Sequence, residues 1–237
     1  MKLAKDSTGS SDEVALKIMK RKNITDAFIE LINNEAELHS KLKHQNIIEL
    51  VDFNDKAVEE RPSGKAREVY YLALELAKGG ELFDYIAQTG PFSEPVARYF
   101  FHQIIDALEY MHTQGISHRD IKPENILMSE DFLLKLADFG FSSSDPVNQT
   151  YKGTSAYMAP EIQAGEEYSG ASVDLFAAGI ILYIMMVGRP CFHEAKPSDP
   201  YYKYMAAGKC DKFWAKHIKT FENGKETFSD DWYDFIN

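Results

Sequence analysis

His118-Arg119-Asp120-Ile121-Lys122-Pro123-Glu124-Asn125 sits in the middle of a 237-residue chain and gathers two carboxylates, two permanent cations, a histidine and a carboxamide into one short run. Apolar patterns enclose it on both sides. Upstream, Val96, Tyr99, Phe100, Ile104, Ala107, Leu108 and Met111 form a stripe at helical spacing; Ser93 is placed to cap that helix, Pro95 falls in its first turn and Gly115 stops it. Downstream, Val173 to Val187 is apolar on every face apart from Asp174, the pattern of a buried helix. It falls short of the roughly 20 apolar residues a membrane span needs. The intervening segment 116–161 reads as loop-rich and also holds Asp138-Phe139-Gly140 and Ala159-Pro160-Glu161. Asp and Gly on their own favour a turn. Their place behind the strand-like run Leu133 to Ala137, downstream of the histidine-led run, points to chemistry instead.

Towards the N-terminus the periodicity changes. Val14-Ala15-Leu16-Lys17-Ile18 reads as a strand carrying one lysine, and Asp26 to Leu42 places Phe28, Ile29, Leu31, Ile32, Leu38 and Leu42 near helical spacing, with Glu35 among them. Ile47 to Phe53 and Val69 to Leu76 read as adjacent strands separated by a polar loop from Asn54 to Glu68, and Gly79-Gly80 ends the pattern. The fold class expected is α+β, with a small strand-rich lobe over 1–76 containing one helix and a larger, mainly helical lobe over 77–237. Taken alone, a lysine on a strand or a glutamate on a helix is ordinarily a solvated surface group.

Composition bounds the partners. The chain is 44% apolar and 27% charged, within the globular range, and its 37 acidic against 26 basic side chains leave a net charge of -11. Such a surface argues against nucleic-acid backbones and anionic membranes and suits cationic partners. Cys191 and Cys210 are too few for a disulfide framework and fit a reducing compartment, so the cytoplasm is expected, with the nucleus left open. Met1 to Ser11 is polar and lacks the apolar core of a signal peptide.

In this order and spacing the motifs resemble the eukaryotic protein kinases: a catalytic loop at 118–125, a metal-binding triplet at 138–140 and the end of an activation segment at 159–161. Val14-Ala15-Leu16-Lys17 is similar to the family's strand lysine pattern, and Glu35 falls where the family places its helix glutamate, a register fixed by Leu42 and His44-Gln45-Asn46-Ile47. The resemblance implies a bilobal domain that uses ATP and Mg²⁺. It implies that Asp120 accepts the proton of a substrate hydroxyl, that Lys122 reaches the γ-phosphate, and that Asn125 and Asp138 are hard oxygen ligands for Mg²⁺. Lys17 is then expected to hold the α- and β-phosphates while Glu35 fixes its ammonium, and Ala15, Glu75, Ala77, Leu127 and Asp138 to complete the nucleotide site. Asp174 braces the catalytic-loop backbone in the family, which suits a buried aspartate that needs hydrogen bonds.

Lys122 and Gly153-Thr154 resemble the serine/threonine branch, with Thr154 expected to hydrogen-bond near Asp120 and Lys122. Gly79-Gly80-Glu81-Leu82-Phe83 and Pro123-Glu124-Asn125 look most like the calmodulin-dependent and related basophilic kinases. That likeness implies that Glu81 and Glu124 face arginines preceding the target residue of a protein substrate; the plain alternative is that both are merely exposed. Arg119 resembles the arginine that pairs with a phosphorylated activation segment. Among Ser142, Ser143, Ser144, Thr150 and Thr154, Thr150 best matches the site that an upstream activating kinase would modify.

The pattern also departs from the family. Its glycine-rich loop, G-x-G-x-x-G-x-V, does not precede Lys17, where the only glycine is Gly9; Met1-Lys2-Leu3-Ala4 is expected to form a strand joined to the lysine strand by a turn at 7–11. Trp232 to Asn237 is rich in large apolar groups with no polar tail, so a domain short at both ends is expected, with Glu161 lacking an arginine partner. His39 stands where an aliphatic residue is usual, and Phe176 replaces a common tryptophan. Two functions follow as expectations: an ATP-dependent serine/threonine kinase, or an inactive or weakly active kinase-like scaffold. Retention of Lys17, Glu35, Asp120, Asn125 and Asp138 favours the first, because a scaffold has no physical need for the full set.

Overall fold

The β-branched and apolar runs of the N-terminal part pair into a four-stranded antiparallel sheet in the computed structural model, which describes residues 1–5, 13–22, 24–61, 63–218, 229 and 232. Strands β1 (Lys2–Lys5), β2 (Glu13–Lys20), β3 (Leu50–Glu60) and β4 (Ala66–Glu75) lie in the order β1-β2-β4-β3. Met1 to Ala4 thus contributes a strand as expected, while the turn at Gly9 lies outside the described residues. The register sets Lys17 opposite Leu72 and Ala15 opposite Leu74.

The polar loop expected from Asn54 to Glu68 is instead most of a hairpin. Its strands stay polar because their side chains alternate between solvent and half-burial, and Arg67 pairs with Glu59 across the ladder. Only the tip between the two strands is turn, and Gly64 there adopts φ +74°, which a side chain would oppose.

Helix α1 (Asp26–Ser40) is capped by Thr25, whose hydroxyl accepts the Phe28 N–H at 3.3 Å. It buries Ile32, Glu35, Ala36, Leu38 and His39, whereas Phe28 and Leu31, expected on the apolar face, are exposed. The buried face is set by the sheet and by Phe139, so two polar side chains, Glu35 and His39, are buried while two apolar ones, Phe28 and Leu31, are left exposed. The helix ends two residues before Leu42, which is itself fully buried.

Beyond the sheet, β5 (Gly80–Glu81), β6 (Ile126–Met128) and β7 (Leu134–Leu136) form a small second sheet in the order β5-β6-β7. Helix α2 (Leu82–Thr89) leads into α3 (Glu94–Thr113), which packs on α5 (Gly170–Val187). Ser93 occupies the N-cap of α3 without a side-chain cap bond, and Pro95 lies in the first turn. The face that packs is Ala97, Phe100, Gln103, Ile104, Ala107, Leu108 and Met111; Val96 and Tyr99, expected in that stripe, are exposed because the packing face lies one position over. By length and composition α5 could cross a membrane, yet it lies two-thirds buried in the core, with Asp174 in its interior. Helices α4 (Pro160–Ala164), α6 (Tyr202–Ala206) and α7 (Cys210–Ile218) complete the described part.

Three apolar clusters result among the described residues: one is Met158, Ala159, Ile162, Tyr168 and Val173, and the other two are a smaller and a larger one on either side of the site. The smaller joins α1 and the first sheet through Ile32, Ile48, Tyr70, Leu72 and Leu74. The larger fills the helical part and also takes Leu38, Leu42 and Ile47, so the last turns of α1 are anchored on the far side of the site. Each fully buried leucine or isoleucine contributes about 1.5–3 kcal/mol. At the C-terminal end Trp232 is covered, its ring 4.9 Å from that of Trp214; residues 233–237 lie outside the described residues.

Candidate active site

Three elements separated in sequence converge between the smaller and the larger cluster. Lys17, central in β2, places its Nζ 2.7 Å from Glu35 Oε1 on α1 and 2.9 Å from Asp138 Oδ1. Burial disfavours the Lys17 ammonium, but the Glu35 and Asp138 carboxylates outweigh it and hold its pKa above the ordinary lysine value. Burial likewise works to raise the Asp138 pKa, and the Lys17 charge and hydrogen bond reverse that, leaving it lowered. Asp138 takes a left-handed φ of +62°, a conformation that costs free energy in a non-glycine residue and turns its carboxylate towards Lys17.

The 118–125 loop is held from beneath. Asp174, 1% exposed, accepts the His118 N–H at 2.8 Å and the Arg119 N–H at 2.6 Å, so the expected bracing is realised. These bonds stabilise Arg119 at φ +64°. His112 of α3 adds a third bond to Asp174, 2.9 Å from Nε2 to Oδ2. His118 accepts the Asp120 N–H on Nδ1 at 3.2 Å and therefore donates from Nε2 to Ala137 O at 3.0 Å; this neutral tautomer agrees with burial, which lowers its pKa.

On that base, Lys122 Nζ sits 2.6 Å from Asp120 Oδ2, and Asn125 Nδ2 donates to Asp120 O at 2.9 Å and to Oδ2 at 3.1 Å. Asp120 is thereby fixed in the lining of a cavity of about 240 Å³ that Lys17, Glu35 and Asp138 also line.

The donor set suits Mg²⁺. Asn125 spends its Nδ2 on Asp120 and keeps its carbonyl oxygen, and the half-exposed Asp138 offers a second hard oxygen. Among the described residues no group of three or more acidic, histidine or cysteine side chains forms a closed metal site. An ion held by these two residues would need further oxygen ligands from outside the chain. Of the residues expected to complete a nucleotide site, Ala15, Ala77 and Leu127 meet in one apolar cluster, and Glu75 ends β4, its carboxylate held 2.7 Å from Lys135.

A protein kinase domain family model matches residues 3–237. The chain belongs to the protein kinase family. Relatives include CBL-interacting protein kinase 11 of Oryza sativa subsp. japonica, 35% identical over 87% of this chain and 41% of that protein. CBL-interacting serine/threonine-protein kinase 9 of Arabidopsis thaliana is 35% identical over 82% of this chain and 42% of that protein. A probable myosin light chain kinase of Dictyostelium discoideum is 37% identical over 84% of this chain and 55% of that protein. The chain thus spans about two-fifths to just over half the length of these relatives. The resemblance to serine/threonine protein kinases and the α+β class therefore hold.

The remaining kinase positions divide. Arg119 donates from Nε to Phe141 O at 2.8 Å and lies 3.4 Å from Thr150 Oγ1, so the structure brings those two together. Thr154 is different: it is exposed and lines the same small cleft as Asp120, but among the described residues its hydroxyl makes no hydrogen bond to Asp120 or Lys122. Gly153, at φ +116°, makes the close approach in its place, because an added Cβ would lie 3.8 Å from Asp120 Oδ1. Glu81 is exposed at the N-cap of α2, and Glu124 lies in the short helical turn Pro123–Asn125, near enough to Tyr157 to help burial raise that phenol's pKa to about 12. Neither carboxylate forms a salt bridge among the described residues, and the same holds for Glu161. His112 was not legible as a site residue, since it lies 62 positions from Asp174 on another helix.

Proposed function

We propose that this chain transfers the γ-phosphoryl group of ATP to serine and threonine hydroxyls of proteins, preferring targets preceded by basic residues. The observation that carries the reading is the convergence of Lys17, Glu35, Asp120 and Asp138 on one cavity, with Lys17 Nζ within 2.9 Å of both of its carboxylate partners there. Phosphoryl transfer needs positioning and charge neutralisation more than covalent help. The acceptor oxygen bonds to the γ-phosphorus as the bond from that phosphorus to the β–γ bridging oxygen breaks, and ADP leaves with the electron pair. Asp120 receives the hydroxyl proton, and Lys122 beside it offsets charge at the γ-phosphate. Mg²⁺, when bound through Asn125 and Asp138, offsets repulsion between phosphate oxygens. Glu35 keeps Lys17 aimed at the α- and β-phosphates.

The carboxylates of Glu81 and Glu124, which form no salt bridge among the described residues, support the preference for basic targets, as does the net charge of -11. Thr150, within reach of Arg119, is the site an upstream kinase is proposed to modify. The test is phosphate transfer from Mg-ATP to two serine peptides, with and without arginines before the serine, by the chain and by its Asp120→Asn variant. Loss of the general base is expected to cost about 10²-fold or more in kcat. The arginine peptide is expected to have the lower KM. Equal rates for the chain and Asp120→Asn sink the kinase reading, and equal KM values sink the basic preference.

A further inference from the structure

Asn148 has no part in the chemistry above, yet it is 5% exposed and engages both its backbone and its side chain in hydrogen bonds. Its N–H donates to Tyr168 O and its C=O accepts from Tyr168 N, each at 2.9 Å. Its Nδ2 donates to Asp145 O at 3.0 Å, and its Oδ1 accepts a hydrogen bond from Arg119 Nη1. The other acceptors of the Arg119 guanidinium are the Phe141 carbonyl at 2.8 Å and the Thr150 hydroxyl at 3.4 Å, at the long end of hydrogen-bonding range. All three are neutral. Among the described residues no carboxylate pairs with this guanidinium.

The bonds of Asn148 tie together parts that must agree for the site to form. Ser143 is bridged to Ser117, just before the catalytic loop, by N–H to O bonds of 2.9 and 3.0 Å. Tyr168, the partner of Asn148, lies two residues before the start of α5, the helix that carries Asp174. The two bridges pin the segment after Asp138-Phe139-Gly140 at both ends, and the Asn148 amide couples the second bridge to Arg119. Gly170 leaves room for this junction, since a Cβ there would fall 2.0 Å from Ser117 Oγ and 3.6 Å from Asn148 Nδ2.

We propose that Asn148 is a positioning residue that holds the activation segment ordered through Arg119 while Thr150 carries no phosphate. The inference rests on the kinase reading for its activity arm and deepens the regulation of that site. An arginine beside a catalytic aspartate needs acceptors, and a phosphate is the usual strong one because of its charge. Here a buried carboxamide, fixed on its other side by Asp145 O, supplies an acceptor at no cost in charge. A phosphate on Thr150 then adds to an arrangement already formed.

The test compares phosphatase-treated full chain with its Asn148→Ala and Asn148→Asp variants, by amide hydrogen exchange and by peptide phosphorylation. Asn148→Ala is expected to speed exchange at the Ser143 and Tyr168 amides ~tenfold or more while leaving β4 amides protected. It is expected to lower kcat/KM for the peptide about as much, with thermal stabilisation by Mg-ATP retained. Asn148→Asp, which keeps the acceptor oxygen, is expected to stay within about twofold of the parent in exchange at those amides. Phosphothreonine placed at position 150 of Asn148→Ala is expected to restore both readouts, which it could not do for a residue that merely supports folding. Unchanged exchange in Asn148→Ala overturns the proposal, as does loss of β4 protection without rescue by phosphothreonine. A parent chain with no transfer activity defeats the kinase reading alone, and the exchange arm then still decides the role of Asn148.

Discussion

The catalytic loop and the Lys17 site face the same cavity but are held by different forces. Below the loop, Asp174 is buried and receives backbone N–H groups at 2.8 and 2.6 Å, the His112 ring stands on its second oxygen, and His118 is neutral with both ring nitrogens bonded. Around Lys17 the contacts are ion pairs between separate elements, and Asp138 is half exposed. The first region is set by hydrogen bonds that do not depend on a ligand. The second is set by ion pairs among Lys17, Glu35 and Asp138, charges that the proposed nucleotide and cation would share, so it is the region expected to rearrange. This difference orders the consequences of mutation.

Asp174→Ala should be the most damaging change. It leaves the buried His118 N–H, the part-buried Arg119 N–H and the His112 ring without their acceptor, and each buried donor left unsatisfied costs about 1–3 kcal/mol. The expected outcome is a large fall in Tm together with loss of peptide phosphorylation. A variant that keeps the parental Tm would show that the loop is held by something other than Asp174.

His39 marks the seam between the two regions. Its Nε2 donates to Ile48 O at 2.6 Å, its ring lies 4.2 Å from that of Phe139, and its Nδ1 is buried with no partner among the described residues. Burial, as the largest cause, lowers its pKa to about 4 from an ordinary 6.5. The unfolded chain therefore takes up the proton first as pH falls, so stability is full above about pH 6.5 and declines towards pH 4. The size of this shift corresponds to up to ~3 kcal/mol. His118, also lowered by burial, acts with the same sign. Urea unfolding between pH 7.5 and 4.5 should show the decline, and His39→Leu should flatten part of it. An equal slope in the variant would assign the acid sensitivity elsewhere.

His39 also shows how far sequence carried. The catalytic motifs were legible because their chemistry demands particular side chains at short spacing, and the structure brings Lys17, Glu35, Asp120, Asn125 and Asp138 together. Expectations failed where a face or a bond depends on a distant partner. Phe28 and Leu31 have helical spacing but face water, since the α1 face is chosen by Phe139 and the sheet. The Asn54 to Glu68 stretch is polar enough to read as a loop, yet it pairs as a hairpin because its two arms satisfy one another's backbone. Thr154 was expected by analogy to hydrogen-bond near Asp120 and Lys122; it shares a cleft with Asp120 but makes no such bond among the described residues, and the close approach belongs to Gly153. His112 and Asn148 gave no signal, because their partners lie 62 and 29 residues away in the chain.

The smallest effect on the fold, and the sharpest probe of the comparison, is expected from Glu35→Gln. The carboxamide keeps the shape and a hydrogen-bond acceptor for Lys17 Nζ but removes the charge that pairs with it at 2.7 Å. Lys17 then has Asp138 as its remaining carboxylate partner, and its ammonium is drawn towards the residue proposed to hold the cation. Because the catalytic loop is fixed separately by Asp174, Asp120 and Lys122 should keep their geometry. The expected outcome is a KM for Mg-ATP raised about 10–100-fold, the scale seen when an orienting partner is lost, with the KM for peptide little changed. A rise in both constants together would mean that the two regions are mechanically coupled, and the division between a ligand-independent loop and a ligand-dependent lysine site would fail.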